Sequence, residues 1–189
     1  MNNDELKSEI DYWKTFFQGN PNLDERVYEI AFFKIFVKFE IFISQLFIEY
    51  AIGGSSISGF QAERILNFRD RSHLEKVLKG RNSRFIDYTS KIEEISEYIF
   101  ESDKNPFYVI ESATYKELFL EMKILRNFIA HESEESKTKY VRKVLNNQVF
   151  ISVGKHMQNK VSRSNTKSNY TEYIEKMLEV SELLLNPVF

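Results

Sequence analysis

The segment from Asp24 to Gly53 constrains the fold more than any other part of the chain. Asp24 is suited to cap a helix and Gly53-Gly54 to end one, and between them lies an apolar run from Ala31 to Ile52. Lys34, Lys38, Glu40, Gln45 and Glu49 interrupt that run. At about 100° per residue, Lys34, Lys38, Gln45 and Glu49 fall within roughly 60° of arc, so most of the helix circumference is apolar. Such a helix is predicted to lie at the centre of a bundle or in a subunit interface. The rest of the chain agrees. With 6 Gly and 3 Pro among 189 residues there are few turn markers for the many short strands of a sandwich or barrel. The 42% hydrophobic content is ample for one core. An all-α bundle around a long central helix is expected.

Other elements follow from spacing and punctuation. Leu6, Ile10, Trp13, Phe16 and Phe17 recur at intervals of three and four, and Gly19-Asn20-Pro21 stops this first helix. A helical region is predicted from Phe60 to Lys79, broken at Arg71-Ser72, where Ser72 and Glu75 match a capping box. The turn Lys79 to Arg84 and a helix from Tyr88 to Phe100 come next, and Ser102 to Pro106 breaks that helix. Ser112 or Thr114 opens a helix through Leu118, Phe119, Met122 and Leu125 to His131. Tyr140 to Leu145 reads as a short helix, Gln148 to Val153 as extended, and Lys155 to Asn169 as a loop. Asn169 with Glu172 caps a last helix through Leu184. No repeat or linker divides the chain, so residues 1–189 are expected to form one domain.

Several function classes drop out. Zero Cys excludes disulfides, thiolate zinc sites and cysteine nucleophiles. Neither a signal peptide nor a membrane span is expected, which suggests a cytoplasmic protein. Phosphate-cradling Gly-rich motifs are absent, and His73, His131 and His156 show no metal-ligand spacing, so neither metal nor cofactor is expected. The formal net charge is −2, yet it is unevenly spread. From Ser136 to Tyr170 there is no Asp or Glu, while eight Lys and Arg residues occur, leaving 18 basic residues against 28 acidic in the remainder. Lys155, Lys160, Arg163 and Lys167 are candidates to guide a polyanion's phosphates, although a merely solvated basic loop has the same composition.

The most distinctive stretch is Leu125-Arg126-Asn127-Phe128-Ile129-Ala130-His131. Asn127 and His131, four apart, share a helix face; Arg126 and His131 lie about 140° apart, so they converge poorly in one straight helix. Joint action needs either an unwound helix near Ala130 or a second copy across a two-fold axis. An ordinary alternative is a surface Arg and a His favoured by the helix dipole. Glu40 lies about 210° from the centre of the polar stripe and so places a carboxylate on an apolar face. Buried carboxylates need partners, and Glu40 either holds Arg126, makes an ordinary interhelical ion pair or takes an edge position.

The Arg126-Asn127-x-Ile129-Ala130-His131 pattern resembles the HEPN superfamily, whose signature is an Arg, four to six residues and a His near the end of a late helix. The motif covers six residues, and the helical order supporting it covers about residues 24–131. The resemblance implies an all-α bundle, usually a homodimer, and, in active members, metal-independent RNA cleavage in toxin–antitoxin or phage-defence settings, with an antitoxin or defence partner. Some toxin members carry a modifiable Tyr two residues after the His; Ser133 stands there. Chemically the set suffices in kind. A His exchanges protons near neutral pH, an Arg offers a charged fork to phosphate oxygens, and Asn127 can orient the imidazole or bond the phosphate. A non-catalytic HEPN-like module that binds nucleotide, RNA or protein is the alternative.

Overall fold

The computed structural model describes residues 1–78, 88–161 and 166–189, with the side chains of 88–91 and 93 excepted. Among these residues the protein is all-α: α1 (Asp4–Gly19), α2 (Glu25–Ala51), α3 (Arg71–Leu78), α4 (Tyr88–Ile99), α5 (Tyr108–Glu111), α6 (Lys116–His131), α7 (Glu134–Lys143), α8 (Val153–Gln158) and α9 (Asn169–Leu185). A single 3-10 turn spans Ser102–Lys104, and the only strand-like pairings among the described residues are two isolated bridges. No helix among them is long and apolar enough to cross a membrane. The turn predicted over Lys79 to Arg84 lies outside the described residues.

The chain packs as two compact units. The first comprises residues 1–3, 39–112 and 180–189, the second 4–38 and 113–179, and both α2 and α9 run through a boundary. In the first unit Phe47, Phe100 and Phe107 form an aromatic centre with ring separations of 5.4 to 5.9 Å. The Tyr50 hydroxyl donates to the Leu184 carbonyl at 2.8 Å. Residues 60–70 are not helical, against expectation. They form an isolated antiparallel bridge between Arg64 and Phe100, where the Ile65 N–H donates to the Ile99 carbonyl and the Glu101 N–H to that of Glu63. Ile65 and Leu66 are exposed, and only Ala62 and Phe68 of this stretch are buried. The α3 helix begins one residue before the expected capping box. Asp70 caps it by accepting from the His73 N–H, and Glu75 pairs with Arg71 instead.

In the second unit the first half of α2 is capped as expected, Asp24 accepting from the Arg26 N–H at 2.8 Å. The core gathers Phe32, Phe36, Phe119, Met122, Leu125, Tyr140, Met157, Tyr173 and Met177. Three sequence expectations fail around α7 and α8. The helix expected over Tyr140 to Leu145 starts at Glu134 and ends at Lys143, because Ser133 caps it by accepting from the Ser136 N–H. Gln148 to Val153 forms no strand: Asn146 and Asn147 turn the chain with φ of 51° and 61°, and Ser152 then caps α8. The basic stretch Lys155 to Asn169 therefore starts within a helix. Beyond it, Lys160 and Ser168 bridge antiparallel, and the Asn169 N–H donates to the Asn159 carbonyl. Ser168 rather than Asn169 caps α9, accepting from the Thr171 N–H.

Candidate active site at the end of helix α6

The α6 helix carries the Arg126–His131 motif. Its start at Lys116 follows Tyr115, with no side-chain cap from the expected Ser112 or Thr114. Its apolar face buries Phe119, Met122 and Leu125, which aligns the motif at the helix's far end. The helix is regular through His131, so it does not unwind near Ala130. It stops at Glu132, whose φ of 44° is left-handed and whose N–H donates to the Phe128 carbonyl. Ser133 opens α7 at once, so two residues join the helices. Phe128 stacks on Tyr140 of α7 with ring centroids 5.2 Å apart, locking the pair together.

That tight junction builds a surface cleft of about 220 Å³. Ile124, Asn127 and His131 of α6 form one wall; Glu135, Ser136 and Lys139 of α7 form the other, with Ser133 at the base. Asn127 and His131 are both exposed and share the cleft, as their spacing of four requires. Arg126 does not line it. Its guanidinium instead donates to the Asn127 side-chain oxygen at 3.0 Å, which ties the third motif residue to the cleft through Asn127. Lys139 pairs with Glu135 at 2.7 Å, and the ammonium holds that exposed carboxyl below the usual carboxylate range.

The other sequence candidates lie elsewhere. Glu40 is half-buried and does not line the cleft. Lys155 is exposed on α8 and Lys160 is exposed at the bridge to Ser168; neither lines the cleft. Lys167 is held by Glu175. Arg163 lies outside the described residues.

Sequence reasoning passed over a second polar cluster. Tyr173 of α9 donates to the Glu121 carboxylate at 3.2 Å, and its hydroxyl lies 3.0 Å from His156 Nε2. Asn169 donates to the His156 carbonyl at 2.8 Å. Burial pushes the His156 imidazole down to about 4, and burial holds the Glu121 carboxyl above its ordinary value. The spacing of Glu121, His156 and Tyr173 carries no local signal, since three helices bring them together. Among the described residues no three His, Asp or Glu side chains gather as a metal site. Neither a protein-family model, nor a curated protein, nor a solved structure matches the chain.

Proposed function

We propose that the protein is a metal-independent endoribonuclease of the HEPN type, acting at the α6–α7 cleft. The observation that carries this reading is the opening of Asn127 and His131 into one cleft, with the Arg126 guanidinium bonded to Asn127. RNA supplies its own nucleophile. The 2'-oxygen attacks phosphorus as its proton leaves, the 5'-oxygen departs with a proton, and a 2',3'-cyclic phosphate remains. His131 serves as the proton-transfer group. Asn127 supplies a hydrogen bond to the phosphorane-like transition state, and the Arg126 guanidinium bonded to it adds positive charge. One imidazole cannot accept and donate at the same instant, so a two-fold homodimer that pairs two His131 side chains supplies base and acid together. A role in toxin–antitoxin or defence systems, with a cognate antitoxin, belongs to the same proposal.

Incubating the protein with mixed RNA in EDTA tests it. His131→Ala is expected to lower cleavage by about 10²–10⁴-fold, the usual worth of general acid–base catalysis. Arg126→Ala should likewise abolish cleavage, and both variants should keep the helical circular dichroism. Products ending in 2',3'-cyclic phosphate fit the mechanism. Full cleavage by the double variant, or strict dependence on added divalent metal, would refute it. Intact RNA binding with no cleavage by the wild-type protein would favour the non-catalytic module.

A further inference from the structure

The α7 wall of the cleft has a register that the motif does not explain. Taking Lys139 as the origin, about 100° per residue puts Lys143 near 40°, Ser136 near 60°, Glu135 near −40° and Arg142 near −60°. Lys139, Ser136 and Glu135 line the cleft, so Lys143 and Arg142 continue the same face one turn further on. The opposite face is otherwise engaged: Tyr140 and Val144 are buried, and the Lys137 ammonium sits over the Phe150 ring at 5.3 Å. Arg142 and Lys143 are exposed and make no ion pair among the described residues. Among the described residues Lys139 is engaged only by an exposed pair one turn away, a kind of contact that is worth little and that a phosphate can displace.

We propose that Lys139, Arg142 and Lys143 on α7 form the phosphate track of the cleft, gripping the backbone of a single RNA strand and leading it to His131. This rests on the ribonuclease reading of the same site. Four residues of helix advance about 6 Å, so Lys139 and Lys143 meet successive phosphates rather than one. Charge sets the direction of approach. Glu132, Glu134 and Glu135 crowd the junction end, whereas the far end of α7 is cationic, so the strand enters over Lys143 and presents one phosphate at the cleft. In-line attack by the 2'-oxygen needs a backbone free to rotate, which a duplex restrains, so the track takes a single strand. Lys155, Lys160 and Lys167 do not line the cleft, so they are secondary to this track.

The test measures binding of a fluorescent 2'-O-methyl RNA strand, which cannot be cleaved, over a range of salt concentrations. The triple variant Lys139→Gln, Arg142→Gln, Lys143→Gln should bind roughly tenfold or more weakly and flatten the salt slope by about 2, near 0.7 for each phosphate no longer neutralised. Lys143→Gln alone should flatten it by about 0.7. Glu135→Gln frees Lys139 and should tighten binding. Lys155→Gln with Lys160→Gln and Lys167→Gln should change the slope less than the α7 triple variant. An unchanged slope in the α7 variant overturns the track, as does equal or tighter binding of a duplex of the same sequence. Equal competition by polyglutamate of matched charge overturns the assignment to RNA. Cleavage of ordinary RNA is scored separately. Cleaving protein with an unchanged α7 slope defeats the track alone, and inactive protein with a flattened slope defeats the ribonuclease reading alone.

Discussion

Gly154 shows how a single residue sets the geometry of the second unit. A Cβ at this position would fall on the backbone carbonyl of Glu25, while the Gly154 N–H donates to Glu29 at 2.8 Å. The first turn of α2 therefore rests directly on the backbone of α8. Two effects compete in Gly154→Ala. Alanine favours a helix by about 1 kcal/mol over glycine, whereas forcing a methyl into a closed contact with unyielding backbone costs about 1–3 kcal/mol. The contact should win, since α8 is only six residues long and gains little from propensity. Urea denaturation is expected to show a lower midpoint with an unchanged m-value. A higher midpoint would mean that the two backbones are not in contact.

At the scale of elements, the chain of hydrogen bonds from Glu121 through Tyr173 to His156 fastens α6, α9 and α8 together, and its two titrating ends respond oppositely to pH. The folded His156 value of about 4 lies below that of a free imidazole, so burial of the neutral ring contributes stability above about pH 6.5 that is lost as pH falls toward 4. Across that window the loss amounts to about 3 kcal/mol at most. Glu121, held above its ordinary value, contributes most at low pH and loses its contribution as pH rises. His156→Gln keeps a polar partner for Tyr173 and removes the imidazole titration. Its stability should fall less steeply than that of the wild type between pH 6.5 and 4, measured by urea unfolding at fixed ionic strength. Parallel profiles would show that His156 is already charged in the fold. The cluster also illustrates what a sequence reveals. Helices α2, α6 and α9 were legible because long apolar periodicities run between clear stops. Residues 60–70 form no helix because they have little apolar surface to bury as one: Ile65 and Leu66 face solvent. Six-residue α8 was hidden because its marker was one serine cap. Asn127 and His131 were legible as a pair from their spacing of four. The Lys139 wall was not, because it depends on a left-handed Glu132 and a two-residue turn that neither composition nor periodicity announces.

At the scale of the whole molecule, the apolar circumference of α2 calls for cover either from a bundle or from a partner, and the chain itself supplies it. Ala31, Phe32, Ile35, Phe36, Phe39, Phe42, Ile43, Leu46, Phe47 and Ile48 are all buried in the single chain, with Ile30 and Ile41 the large apolar side chains left exposed on the helix. The proposed dimer must rest on another surface, and the outer stripe of α6 is the one that would join two sites. Leu120 is 46% exposed, and it shares about 40° of helix arc with Asn127 and His131. A two-fold axis across this stripe sets Leu120 against its own copy, so a charge placed there meets a like charge. Leu120→Lys, flanked by Lys116 and Lys123, should convert the protein from dimer to monomer in sedimentation velocity at micromolar concentration. Surface substitutions usually change stability by about 0.5 kcal/mol or less, so the melting of the monomeric fold should barely move. Cleavage should fall together with the dimer fraction, because each His131 loses its counterpart, and should recover as protein concentration is raised. A wild-type protein that sediments as a monomer yet cleaves RNA would show that one copy of His131 suffices.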